Sequence, residues 1–99
     1  MGFFDDILGT GGHHYPQTAR SLSREEIKRL VSRITVHTLS AQEEVLVEHA
    51  VDAARHGDGH ISLHTIHEVL HGLEQRHQIS VNDKKGLMQV FTDHFSHGA

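Results

Sequence analysis

The 99-residue chain has no cysteine, no tryptophan and a single proline. Without thiols there is no disulfide framework, zinc ribbon, iron–sulfur cluster or thiol nucleophile. Hydrophobic residues make up 36%, enough for one small core and too few for two. No apolar run approaches the ~18 residues of a membrane span. The first residues lack the basic and long apolar regions of a secretory signal. Met1-Gly2 is followed by Asp6 where a myristoylation motif carries Ser or Thr. The expected compartment is cytoplasmic. Basic residues are scarce, with nine Lys plus Arg against thirteen acids, for a net charge of −4. With no Lys/Arg run to track phosphates, nucleic acid is excluded as a partner.

What the chain has in excess is histidine, twelve residues in all. Adding twelve positive charges to −4 gives +8, so the net charge changes sign on mild acidification.

Helix-start signals punctuate the sequence. Ser23-Arg24-Glu25-Glu26 and Ser40-Ala41-Gln42-Glu43 read as capping boxes, in which a hydroxyl and a carboxylate satisfy each other's backbone amides. Ser80-Val81-Asn82-Asp83 is a weaker version, and Ser62 is a cap without an acidic partner. Apolar residues follow at helical spacing: Ile27, Leu30, Val31 and Ile34; then Leu46, Val47, Ala50, Val51 and Ala54. The third set is Leu63, Ile66, Leu70 and Leu73, and the fourth Leu87, Met88, Phe91 and Phe95. Gly57, Asp58 and Gly59 turn the chain between the second and third helices. Ile61-Ser62-Leu63 and Ile79-Ser80-Val81 are alike enough to meet as a short extended pair, short of a sheet.

The expected fold is all-α, a compact bundle of four main helices over residues 21–99. Residues 1–20 form an N-terminal segment. In it Phe3, Phe4, Ile7 and Leu8 make a short amphipathic helical patch, followed by the flexible linker Gly9-Thr10-Gly11-Gly12. That patch is a candidate contact for a protein partner or a membrane surface. Asp5 and Asp6 stand where a membrane-surface helix carries Lys or Arg.

His67-Glu68-Val69-Leu70-His71 is a literal His-Glu-x-x-His. On a helix its two imidazoles share a face and reach one zinc ion, with Glu68 as general base. His77 has the third-ligand spacing of the extended metzincin motif, but Glu74 stands where that motif has glycine. A helix running through Glu74 would carry His77 to the wrong side. Twelve histidines also make a chance match easy. With Leu63 at 0° on a helical wheel, His67, His71 and His64 fall at roughly 40°, 80° and 100°. They form one strip beside the buried stripe, a candidate site for zinc, nickel or copper. Arg55 to Ser62 has the shape of an EF-hand loop, but only Asp58 remains as a carboxylate, so calcium is not expected.

The Ala-rich segment 48–55, the turn Asp58-Gly59-His60-Ile61-Ser62, the later Ile79-Ser80-Val81-Asn82-Asp83 and the opening Gly2-Phe3-Phe4-Asp5 together resemble the TerB-like, tellurite-resistance-associated helical domain. That resemblance implies an all-helical domain, acidic metal ligands and association with membrane-linked stress-response complexes. Only Asp58 matches the family's ligands, so histidines would have to replace the others.

The leading expectation is a small non-enzymatic binding module that engages a protein partner. His64, His67 and His71, with His60 and Asp58, are its candidate ligands for zinc or nickel. The alternatives are a minimal zinc hydrolase using His67, His71 and Glu68, and a pH-responsive interaction domain.

Overall fold

The computed structural model describes residues 15–33 and 39–97. Ile34, the patch Phe3, Phe4, Ile7 and Leu8, the glycine linker and His13-His14 lie outside the described residues. In chain order the elements are β1 (Arg20–Ser21), α1 (Arg24–Ser32), α2 (Ala41–Ala53), β2 (His60–Ile61), α3 (Leu63–Gln75) and α4 (Val81–His97). Among the described residues the fold is an all-α bundle of four helices with one minimal strand pair.

Each helix begins where a serine hydroxyl replaces a missing carbonyl acceptor. Ser23 Oγ accepts from the Glu26 amide at 3.0 Å, and Glu26 Oε1 accepts from the Ser23 amide at 2.9 Å. Ser40 and Glu43 repeat the exchange at 3.1 and 2.7 Å. Ser62 Oγ accepts from the Thr65 amide at 3.1 Å and donates to the Thr65 hydroxyl. The Ser80–Asp83 pair is a full reciprocal box, both bonds being 3.0 Å, and Asp83 is only 3% exposed. The shorter aspartate side chain therefore reaches back as well as glutamate does.

The helices enclose one core. All four predicted α3 residues are buried, as are Leu87, Met88, Phe91 and Phe95 of α4. Burying each such side chain is worth roughly 1.5–3 kcal/mol, so the α3 and α4 stripes dominate the packing. On α2 only Val47 and Val51 are fully buried, while Leu46, Ala50 and Ala54 pack at the edge. The helix pairs in contact are α1 with α2, α2 with α3, α3 with α4 and α4 with α1, which closes the bundle.

Four core residues precede helices rather than lie in them: Leu22, Leu39, Ile61 and Ile79. Each sits immediately before a capping serine. Leu22 with Ile27 and Ile61 with Ile66 occupy the two positions of a hydrophobic staple.

The strand pair differs from the expectation. β2 pairs antiparallel with β1, Arg20 opposite Ile61 and Ser21 opposite His60, and Ile79-Ser80-Val81 takes no part. The physical reason is the turn. Gly59 adopts φ +85, a conformation open to glycine, and its carbonyl accepts from the Leu22 amide at 3.1 Å. Arg55 Nη1 donates to the Leu22 carbonyl at 3.1 Å, while its guanidinium also grips Asp52. Arg20 Nη1 donates to the Phe95 carbonyl at 2.9 Å, tying β1 to α4. The expected boundary between residues 20 and 21 thus falls inside β1. Residues 15–20 lie on the helical domain, with the Pro16 carbonyl accepting from the His64 amide at 3.1 Å.

Candidate functional site

The histidine strip lies on one side of α3, but each ring has its own partner. His64 Nε2 is 3.2 Å from Glu68 Oε2, one turn further along. His67 packs on Tyr15, ring centroids 4.9 Å apart and planes tilted by 32°. His71 Nδ1 lies 3.3 Å from Lys84 Nζ and 3.7 Å from Glu74 Oε1. The His67 and His71 rings are nearly parallel with centroids 6.0 Å apart, so these two remain neighbours. His60 sits in β2, its Nδ1 3.4 Å from Asp58 Oδ1 without hydrogen-bond geometry. The Asp58 carboxylate accepts from the His60 amide at 3.1 Å, which holds its pKa below the ordinary aspartate value.

Among the described residues, no group of three or more His, Asp or Glu is placed to hold a metal ion. The candidates divide into two separate places: His64, His67 and His71 along α3, and His60 with Asp58 at the turn before it. Glu68, the candidate base, is exposed and faces His64.

His77 has a structural assignment. The α3 helix continues through Glu74 to Gln75, and His77 then adopts φ +60. Its amide donates to the Glu74 carbonyl at 3.0 Å, and the Gln78 amide donates to the Leu73 carbonyl at 2.9 Å. These two bonds make a Schellman motif with histidine in the left-handed position that glycine usually takes. His77 therefore ends α3 rather than returning toward His67 and His71.

His67 also borders a concavity. A groove of about 590 Å³ runs between α3 and α4, lined by Tyr15, His67, Val81, Lys84, Lys85 and Met88, and reaching Asp93 at its far end. Tyr15, Val81 and Met88 supply its apolar surface, and Val81 is 48% exposed although it opens a helix of the core. Lys84 and Lys85 sit near the N-terminus of α4, where the helix dipole already favours negative charge. Lys84 is anchored by Glu74 at 2.8 Å, and this bond is the main reason the Glu74 carboxyl titrates below its ordinary range. Lys85 is exposed. The groove thus has an apolar middle, a positive end at the start of α4 and a carboxylate at the other end.

The histidine pattern did not point to this groove. Its sequence signal is Val81, Lys84, Lys85 and Met88, apolar and basic residues sharing one side of α4 at helical spacing. Tyr15, the chain's one tyrosine, completes it from 66 residues away from Val81 in the sequence.

No helix among the described residues is long and apolar enough to cross a membrane. In comparisons with known proteins, no family model, curated protein or solved structure matches the chain.

Proposed function

We propose that this chain is a small non-enzymatic interaction module whose α3–α4 groove takes an amphipathic segment with acidic flanks. The observation that carries this reading is the juxtaposition of exposed Val81, half-buried Tyr15 and the edge of the largely buried Met88 with Lys84 and Lys85 at the positive end of α4. Apolar side chains of the segment fill the middle, and its carboxylates meet the lysines. This is the helix-in-groove mode of recognition, with charge setting direction and register. The TerB-like resemblance at the Asp58-Gly59 turn belongs to the same reading, as a proposal that the module serves a stress-response assembly.

The test is a titration of the full chain with two 12-residue peptides. Both carry two aromatic and two aliphatic side chains on one helical face, flanked in one by two Asp and in the other by two Lys. The acidic peptide binds more tightly, and its chemical-shift changes map to Val81, Lys85 and Met88. Equal binding of both peptides, or shifts confined to another face, overturns the reading.

A second reading is favoured by the His67–His71 pair alone: a two-imidazole site for zinc or nickel on α3. Two ligands one turn apart make an incomplete coordination shell, so we propose weak binding, with Kd above roughly 10 µM. Calorimetry on metal-free protein tests it, with His71→Ala removing the signal. A signal unchanged in that variant removes the site.

A further inference from the structure

Resting on the reading of the groove as a site for an acidic amphipathic segment, we infer that its resident occupant is the chain's own residues 3–8. The described chain begins at Tyr15, and Tyr15 itself lines the groove. The segment before it is therefore tethered at the groove's rim. Residues 9–14 separate Leu8 from Tyr15, and six residues span up to about 20 Å when extended. The groove follows α4 from Val81 to Asp93, roughly 18 Å of helix, so the tether reaches all of it.

The chemistry of the segment matches. On a helical wheel Phe3, Phe4, Ile7 and Leu8 fall within an arc of about 140°, with Asp5 and Asp6 on either side of it. The apolar arc suits Tyr15, Val81 and Met88. The two carboxylates suit Lys84, Lys85 and the N-terminus of α4. The same carboxylates disfavour an anionic membrane surface, which attracts basic segments. Among occupants of one chemistry, the tethered one has the advantage of effective concentration, of millimolar order for a short linker. A segment with only millimolar intrinsic affinity then fills the groove much of the time, and a partner in trans must displace it. Residues 3–8 act as a built-in competitor that sets the threshold for partner binding.

The absence of native cysteine makes the experiment direct. A nitroxide is placed on a Gly2→Cys variant of the full chain, and its broadening of backbone amide signals is mapped. Amides of Val81, Lys85 and Met88 broaden while that of Lys28 on α1 does not, and the pattern disappears in the Phe3→Ser/Phe4→Ser background. Uniform broadening, or broadening centred elsewhere, overturns the inference. Broadening of the groove in a mixture of labelled chains with isotope-enriched unlabelled chains assigns the segment to a second copy, and this also overturns it.

The acidic peptide supplies the second arm. The Phe3→Ser/Phe4→Ser chain binds it about three- to tenfold more tightly than the unsubstituted chain, because the competitor is gone. Equal affinities with no groove broadening sink the cis occupant and leave the groove reading standing. Binding to neither chain sinks the groove reading itself.

Discussion

The imidazole of His67 lies against the ring of Tyr15, centroids 4.9 Å apart. The first histidine of the His-Glu-x-x-His segment is thereby built into the wall of the α3–α4 groove. A ring pair of this kind contributes about 0.5–1.5 kcal/mol beyond the area it buries.

Tyr15→Ala is therefore expected to lower stability by about 1 kcal/mol and to weaken acidic-peptide binding several-fold. Tyr15→Phe keeps the ring and most of both. Urea unfolding and peptide titration of the two variants measure the effects separately. A Tyr15→Ala chain that binds the peptide undiminished would remove Tyr15 from the groove.

His77 predicts the opposite sign. A non-glycine residue in the left-handed region is disfavoured by about 1–2 kcal/mol, somewhat less for histidine. Glycine gives back part of that through its freer unfolded chain. His77→Gly is expected to stabilise the fold by about 0.5–1 kcal/mol, read as a higher denaturant midpoint with unchanged slope. A loss of stability would mean that the imidazole makes contacts that matter more than its backbone.

Leu22→Ala tests the residues that precede the helices. Leu22 is fully buried and lies at the outer position of the α1 staple. Its truncation is expected to cost about 2–5 kcal/mol, as for a leucine within a helix. Val45→Ala, at an exposed site on α2, is expected to fall within about 0.5 kcal/mol of the starting chain.

These residues show what was legible in the sequence. Capping is local chemistry, so all four helix starts could be placed from Ser23, Ser40, Ser62 and Ser80. The apolar stripes of α3 and α4 followed from period alone. Leu22, Leu39, Ile61 and Ile79 escaped because a single apolar residue in a connection has no period. Their common signal is position: each is the aliphatic residue before a capping serine. The β1–β2 pair escaped because it depends on Arg55 reaching the Leu22 carbonyl across the fold. Helical period alone puts His64, His67 and His71 on one side of α3. A wheel cannot show that His64 turns to Glu68, His67 to Tyr15 and His71 to Lys84 and Glu74. The groove needed Tyr15 beside α4, a contact that no local pattern encodes.

Acid stability follows from Glu26 and Glu74. The Glu26 carboxylate is favoured first by the Ser23 amide, with smaller help from His94 and Arg29. Glu74 is favoured by Lys84. Both titrate below the ordinary value of 4.5 when folded. The unfolded chain therefore takes up protons first as pH falls, and the stability these groups contribute is complete above that value. It is lost as pH drops through the folded-state values. Thermal midpoints at pH 7, 4.5 and 3 are expected to fall mainly in the last interval. Glu26→Gln, which keeps a side-chain acceptor at the capping position, shows a smaller fall than the unsubstituted chain. An equal fall would place the acid sensitivity elsewhere.

The most direct test of the groove is charge reversal at its exposed lysine. Lys85→Glu is compared with the unsubstituted chain, each titrated with the Asp-flanked and the Lys-flanked peptide. If the groove recognises acidic amphipathic segments, the substitution weakens the acidic peptide several-fold and strengthens the basic one without lowering stability, since the start of α4 favours negative charge. A preference that does not move with the charge at position 85 would contradict recognition at this groove.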